Sequence, residues 1–209
     1  MWYRVNMAVS VAQPRTLPPE QRRKQIIDAV LQVVSKYGVP EATTSRIARA
    51  AGVAQGTLYV HFASRTEMLV AALDEIFAQM MALIDASTDP DPVERLKEVA
   101  RRHSDLMSTE TGGFALPWME FIAAGPQTGL RQAIIEMQRR VFRKLRDIVE
   151  EAKVKGRIRQ EVDSSQLTWY WLSFAWSENM AFVMGLDEYI TGRPSYDMLE
   201  VMLDAAAVP

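Results

Sequence analysis

The sequence predicts an all-α protein in which a small N-terminal helical domain is joined by a long helix to a larger C-terminal helical bundle. Apolar residues recur at helical spacing along most of the chain. Glycine and proline cluster in the gaps between these segments, where they end helices. No convincing strand pattern interrupts the series, and about nine helices are expected.

Composition narrows the class of protein. The 209 residues are 48% hydrophobic and 24% charged, which is ordinary for a globular protein with a sizeable core. The chain has no cysteine, so disulfides, thiolate metal sites and cysteine nucleophiles are excluded. No apolar run approaches the roughly 20 residues that span a bilayer. We therefore expect a cytoplasmic protein without a membrane segment, a metal or a cofactor.

Charge is unevenly distributed along the chain. Residues 1–67 contain nine Lys or Arg and four Asp or Glu, a net charge of +5, whereas the remainder has a net charge of −7. A basic first third on an acidic body is expected when one end of a protein contacts a polyanion.

Helix signals are clear in the first third. Residues 1–17 are expected to be a disordered arm, and Pro18-Pro19 opens a first helix that Gly38 ends. Thr43 or Thr44 can cap a second helix that ends at Gly52. A third helix is predicted from about 54 to 61, followed by a long fourth helix over about 65–85. The first domain is predicted to span 18–67, and 68–209 form the second domain.

Further helices are predicted in the remainder of the chain. Asp89-Pro90-Asp91-Pro92 and Gly125-Pro126 are among the breaks that separate them. The expected ranges are 93–107, 116–124, 128–155, 164–184 and 195–206.

The segment Thr43–Phe62 has the pattern of a helix-turn-helix. Such a unit needs a small residue where its two helices cross, and Ala48 supplies one. It also needs a glycine that accepts a positive φ in the turn, which Gly52 supplies. The apolar residues inside the two helices are Ile47, Val53 and Leu58.

A longer pattern resembles the DNA-binding domain of the TetR family of one-component repressors. The resemblance covers about residues 22–73. It is carried by Ile27, Ala29, Tyr37-Gly38, Thr43, Ile47-Ala48, Ala51-Gly52-Val53, Gly56-Thr57-Leu58-Tyr59, His61-Phe62, Ser64 and Leu69. Arg65 stands where the family usually has lysine, which keeps the charge and changes the donor geometry.

The resemblance implies that the third helix enters the major groove of DNA. Gln55 and Thr57 would reach base edges, and Gly56 would let the backbone approach the duplex. The phosphate contacts implied by the resemblance involve Thr43, Tyr59, His61 and Arg65. Further candidates on the second helix, for the backbone or a base, are Thr44, Ser45 and Arg46.

The second domain is rich in large, soft side chains that suit a pocket for an apolar or aromatic molecule. The residues chosen for its lining are Met107, Trp118, Phe121, Trp176 and Met180. Each could instead lie in the core or in a dimer interface. Glu178 and Asn179 could be polar anchors in the pocket or exposed residues. His103 is expected to be structural or exposed to solvent, because no partner pattern surrounds it.

The resemblance implies a homodimer formed by the last two long helices. The expected function is a DNA-binding transcriptional regulator, a repressor that a small apolar or aromatic effector releases from a palindromic double-stranded operator. Two alternatives stay open, a transcriptional activator and a small-molecule-binding helical protein without DNA regulation. An enzyme is not expected, because no nucleophile and base form a recognisable pattern.

Overall fold

The computed structural model describes residues 17–109, 112–191 and 194–208, so the predicted arm lies almost wholly outside the described residues. Nine longer helices and one single turn of helix form the described part, which confirms the all-α prediction. The elements are α1 (Pro19–Glu41), α2 (Thr44–Ala51), α3 (Gln55–His61), α4 (Arg65–Asp85), α5 (Pro92–Met107), α6 (Ala115–Thr128), α7 (Arg131–Val154), α8 (Ser164–Met184), α9 (Glu188–Thr191) and α10 (Pro194–Ala206).

Helix α1 begins at Pro19, where the missing N–H of proline costs nothing. The predicted stop at Gly38 is real, because φ is +78° at this residue and the helical geometry is lost. One further turn, which the sequence did not predict, continues to Glu41. Pro40 is tolerated in this turn because it stands near its start, where backbone N–H groups have no helical partner.

The next helices are bounded by local hydrogen bonds. The hydroxyl of Thr43 accepts a hydrogen bond from the backbone N–H of Arg46 at 3.3 Å, which caps α2. Gly52 has a φ of +64° and closes the same helix. Ser64 accepts from the N–H of Glu67 at 3.1 Å, and the Glu67 carboxylate accepts from the N–H of Ala63 at 2.6 Å. This reciprocal pair fixes the start of α4.

Asp91 caps α5. Its carboxylate accepts a hydrogen bond from the N–H of Val93 at 2.9 Å and forms an ion pair with Arg157 at 2.6 Å. Desolvation by burial acts to raise the pKa of Asp91, but the hydrogen bonds from Val93 and Arg157 outweigh it and hold that pKa below its ordinary value.

The predicted break at Gly125-Pro126 is wrong. Helix α6 continues through Pro126 and ends at Gly129, where φ is +76°. Pro126 is exposed, whereas Gly125 is buried with its Cα side facing Ile134 of α7. Close contact between the two helices therefore outweighs the one backbone hydrogen bond that proline removes. The single turn α9 was also not predicted.

The described helices enclose two main apolar cores. The first joins α1–α4 to residues of α6 and α7, among them Phe121 and Met137. The second lies among α4, α5, α7, α8 and α10 and includes Trp171 and Leu199. Helix α6 thus packs its Phe121 into the core that supports the helix-turn-helix. None of the described helices has the length and apolarity needed to cross a membrane.

Candidate DNA-binding surface and ligand cavity

The apolar side of helix α3 packs into the first core, and its other side is exposed to solvent. Leu58 and Phe62 are 0% and 2% exposed and anchor the helix and its end in the first core. Gln55 and Gly56 at its start are exposed, and Tyr59 is 54% exposed. A short helix fixed in this way projects its first turn into solvent, where it can meet a groove.

The start of α2 lies beside the start of α3. Nε2 of Gln55 donates a hydrogen bond to Oγ1 of Thr44 at 3.0 Å, which joins the two helices across the turn. Thr43 and Ser45 are exposed, and Thr57 is half-buried near the same end of α3. The structure therefore brings together the predicted base-reading and backbone-contacting residues of the two helices.

Two basic side chains near this surface already have partners. Arg46 forms an ion pair with Glu41 at 3.1 Å, and its guanidinium lies 4.7 Å from the ring centre of Tyr37. Arg65 donates to the carbonyl of Ala42 at 2.7 Å and to the carbonyl of Val39. Arg65 thus ties the start of α4 to the connection that precedes α2.

His61 is half-buried at the end of α3. Its backbone carbonyl accepts a hydrogen bond from Nη1 of Arg23 at 2.7 Å. The Arg23 guanidinium also lies 4.0 Å from the ring centre of Phe62. Arg23 of α1 therefore holds the end of α3.

A cavity of about 70 Å³ lies among α4, α5, α6, α7 and α8 and is partly open to solvent. Of the predicted lining residues, Met107, Trp118 and Trp176 meet at its wall. Phe121 lies instead in the first core, fully buried, and Met180 is 41% exposed on α8. Neither of these two side chains lines this cavity.

The wall of the cavity is apolar with few polar groups. The apolar residues are Ile76, Phe77, Met80, Leu83, Met107, Phe114, Ala115, Trp118, Val141, Leu172, Ala175 and Trp176. The polar ones are Gln79, His103, Gln138 and Asn179, and no Lys, Arg, Asp or Glu is among the lining residues. An apolar wall with a few converging polar groups is typical of a small-molecule site.

A buried polar cluster lies at one side of this cavity and includes two of its lining residues, His103 and Asn179. Oε2 of Glu178 lies 2.8 Å from Nδ1 of His103, and these side chains are 0% and 2% exposed. Oε1 of Glu178 accepts hydrogen bonds from Ser104 at 2.7 Å and Ser195 at 2.8 Å. Nδ2 of Asn179 donates to the carbonyl of Ala175 at 2.7 Å and lies 3.4 Å from Nε2 of His103.

The sequence did not reveal this cluster. The sequence predicts that His103 is structural or exposed to solvent. For Glu178 it leaves two alternatives, a polar anchor in the pocket or an exposed residue. His103 and Glu178 are 75 positions apart, so no local spacing connects them. The one available signal was a glutamate in a helix with no other charged residue, because a buried carboxylate needs partners.

The cluster is not arranged for nucleophilic catalysis. Both serine hydroxyls bond to the Glu178 carboxylate and not to the imidazole, whereas an activated serine would bond to the histidine. Among the described residues, no group of three or more His, Cys, Asp or Glu side chains could hold a metal ion.

Helices α8 and α10 expose several large apolar side chains. Trp169 is 52% exposed and packs edge-on against Trp176, with ring centres 5.0 Å apart. Further exposed apolar side chains of these helices are Tyr170, Met180, Val183, Met184, Met198 and Val201. Such a concentration is typical of a surface that another protein covers.

Comparison with known proteins supports the N-terminal assignment. Residues 26–72 match the family described as bacterial regulatory proteins, tetR family. The chain is 28% identical over 141 residues to the fatty acid metabolism regulator protein of Bacillus subtilis, an alignment that covers 66% of this chain and 72% of that protein. It is 44% identical over 69 residues to the repressor KstR of Mycolicibacterium smegmatis, covering 33% of this chain and 32% of KstR.

Most of the described fold also has solved counterparts. The fatty acid degradation regulator FadR from Bacillus halodurans superimposes with a TM-score of 0.72 at 26% identity. The match covers 88% of this chain and 96% of that structure. The likeness therefore extends beyond the helix-turn-helix into the helical bundle.

Proposed function

We propose that this chain, which belongs to the TetR family of bacterial regulatory proteins, represses transcription by binding a palindromic operator as a homodimer. One observation carries the proposal, namely that the first turn of α3 is exposed directly beside the capped start of α2. The N-terminal end of a recognition helix is the part that contacts base edges in the major groove. The division into 18–67 and 68–209 is part of this proposal.

The residues at this end have suitable chemistry for DNA. Gln55 can pair with adenine through its amide, and Thr57 can meet a thymine methyl group or a base edge. The bond from Gln55 to Thr44 at 3.0 Å holds the amide in place before DNA arrives. Thr43 and Tyr59 flank these groups and supply hydroxyls for phosphates.

The proposed contribution of Arg65 to DNA binding is to fix the loop before α2. Its guanidinium is engaged with the carbonyls of Val39 and Ala42, which fixes the loop that carries Thr43. We propose that Arg65 orients this loop toward the phosphate backbone and adds positive charge beside it.

The exposed apolar surface of α8 and α10 is the proposed dimer interface. Two-fold pairing through these helices uses the same patch on both subunits, which places the two copies of α3 in symmetry-related positions. Recognition helices about 34–36 Å apart fit successive major grooves, so the operator is a palindrome.

Two helices connect the cavity with the DNA-binding part. Helix α4 places Met68 and Leu69 in the first core and Ile76, Met80 and Leu83 at the cavity wall. Helix α6 places Trp118 at the cavity and Phe121 in the first core. A cytoplasmic effector that prefers one arrangement of these helices shifts the equilibrium between DNA-binding and released states.

The test is selection of duplex DNA from a random pool, followed by fluorescence anisotropy with the selected sequence. We expect a palindromic consensus, and an affinity that falls as salt rises because phosphate contacts release counter-ions. Gln55→Ala should relax base preference at one position in each half-site by about 1–3 kcal/mol. The matched control is Val154→Ala, at an 87% exposed position on α7, which should bind as the parent does.

Two outcomes would contradict the proposal. The first is a purified chain that ignores duplex DNA even in dilute buffer, which would leave a small-molecule-binding protein. The second is selection of an enriched sequence that Gln55→Ala and the parent bind with the same base preferences.

A further inference from the structure

We infer that the effector is an uncharged molecule with an apolar body and one hydroxyl group, which donates a hydrogen bond to Nε2 of His103. The inference rests on the proposed function, because it specifies which class of molecule occupies the cavity. It follows from the wall of the cavity, from the orientation of Asn179 and from the hydrogen bonds around Glu178.

The residues that line the cavity disfavour a charged ligand. Its lining residues include aromatic and aliphatic side chains, two glutamines, His103 and Asn179, with no lysine, arginine, aspartate or glutamate. A carboxylate or ammonium group inside this cavity would lose water without gaining an opposite charge from the wall. An uncharged molecule has no such cost.

The orientation of Asn179 identifies the acceptor. Nδ2 of Asn179 lies 2.7 Å from the carbonyl oxygen of Ala175, which can only accept, so this atom is the amide nitrogen. The same nitrogen faces Nε2 of His103, which therefore accepts, while Nδ1 donates to Glu178. At 3.4 Å the bond from Asn179 is long, so the lone pair of Nε2 is only weakly used.

Glu178 strengthens this acceptor. Its carboxylate accepts hydrogen bonds from His103, Ser104 and Ser195 at 2.7–2.8 Å, which fixes the imidazole ring. A carboxylate that accepts from one ring nitrogen makes the other nitrogen a better acceptor. Glu178 does not itself line the cavity and is therefore a positioning residue. Its position behind the ring further disfavours an anionic ligand group at His103.

A purely structural cluster makes a different prediction. Glu178 links α5, α8 and the start of α10 through His103, Ser104 and Ser195, so it also stabilises the bundle. If that were its whole role, ligand affinity would follow apolar size alone and would not depend on a hydroxyl group.

The experiment compares three probes of the same apolar body, 4-butylphenol, its methyl ether 4-butylanisole and the anion 4-butylbenzoate. Trp118 and Trp176 line the cavity, so quenching of tryptophan fluorescence reports binding. We expect the phenol to bind about tenfold more tightly than the ether, the value of about one hydrogen bond, with the benzoate weakest. Equal affinities of phenol and ether, or tightest binding of the benzoate, would overturn the inference without any variant being needed.

Variants then locate the hydroxyl. His103→Gln should reduce the preference for phenol over ether to less than about twofold and leave the affinity for the ether nearly unchanged. The matched control is Gln138→Leu, which removes another polar group of the wall and should keep the preference. A preference that survives His103→Gln, or that disappears in Gln138→Leu alone, would contradict the assignment of His103.

Binding of selected duplex DNA, measured with the same preparations, separates this inference from the proposed function. A chain that binds DNA but does not prefer the phenol refutes the hydroxyl assignment and leaves the regulator intact. A chain that prefers the phenol but ignores DNA refutes the regulator and leaves the chemistry of the cavity as described.

Discussion

Gly56→Ala should separate DNA binding from folding at the recognition helix. Gly56 is the second residue of α3, is exposed, and a Cβ built on it would meet nothing within 4 Å. Alanine therefore introduces no clash in the free protein and should favour the helix. In the complex the added methyl group would stand between the helix backbone and the duplex.

Gly56→Ala should raise the stability of the fold and lower its affinity for DNA. Replacing a helical glycine by alanine stabilises by about 0.5–1 kcal/mol. For a protein of this size that raises the melting temperature by about 1–4 °C, measured by circular dichroism. We expect affinity for the selected operator to fall by at least about tenfold, or 1.4 kcal/mol, in fluorescence anisotropy.

Gly52→Ala is the matched control for the effect of an added methyl group on stability. A Cβ on Gly52 would also meet nothing within 4 Å, but its φ of +64° lies in the left-handed region. Alanine should therefore destabilise by about 1–2 kcal/mol through backbone strain alone. A melting temperature that drops for Gly56→Ala, or an operator affinity that stays unchanged, would refute the assignment of Gly56 to close approach of the DNA.

Three further predictions concern stability. Ser64→Ala removes the hydroxyl that accepts from the N–H of Glu67 at 3.1 Å, and should lower the free energy of unfolding in urea by about 1 kcal/mol, whereas Ser64→Asp should restore most of it. Glu178→Ala leaves the donors of His103, Ser104 and Ser195 without their acceptor and should cost about 3 kcal/mol in the same assay, at about 1 kcal/mol for each lost hydrogen bond, so a loss below about 1 kcal/mol would contradict the buried cluster. The pKa of Asp91 is lower in the folded state than in the unfolded state. The ionised carboxylate therefore stabilises the fold above the ordinary aspartate pKa, and this stabilisation is lost as pH falls through the folded-state pKa. Asp91→Asn should flatten that part of the profile of unfolding free energy in urea against pH.

Helix ends in the first third of the chain could be predicted because their signals are local. Pro19, Thr43, Gly52 and Ser64 each act on backbone groups within a few residues, and the structure places a helix end at each of them. A cap needs no information about the rest of the fold.

The extent of α6 could not be predicted, because contact with another helix decides it. Gly125-Pro126 favours a break by its own chemistry, but Gly125 lies against Ile134, and the helix continues to Gly129. Tertiary packing commonly overrides local propensity in this way.

The side of a helix that faces the cavity could be predicted only in part. Trp118 and Phe121 lie less than one turn apart on α6, yet Trp118 lines the cavity and Phe121 packs under the DNA-binding helices. Both are large aromatic residues, so composition does not distinguish them. The pairing of His103 with Glu178 was likewise hidden, because it depends on how α5 and α8 pack.

Site-specific cross-linking tests the central claim most directly. A photoreactive p-benzoylphenylalanine replaces Thr57 near the start of α3 in one protein and Val154 at the end of α7 in another. Irradiation with the selected operator should give a covalent adduct from position 57 at a base inside each half-site, and none from position 154. No adduct from position 57, with or without one from position 154, would mean that the exposed end of α3 does not enter the groove.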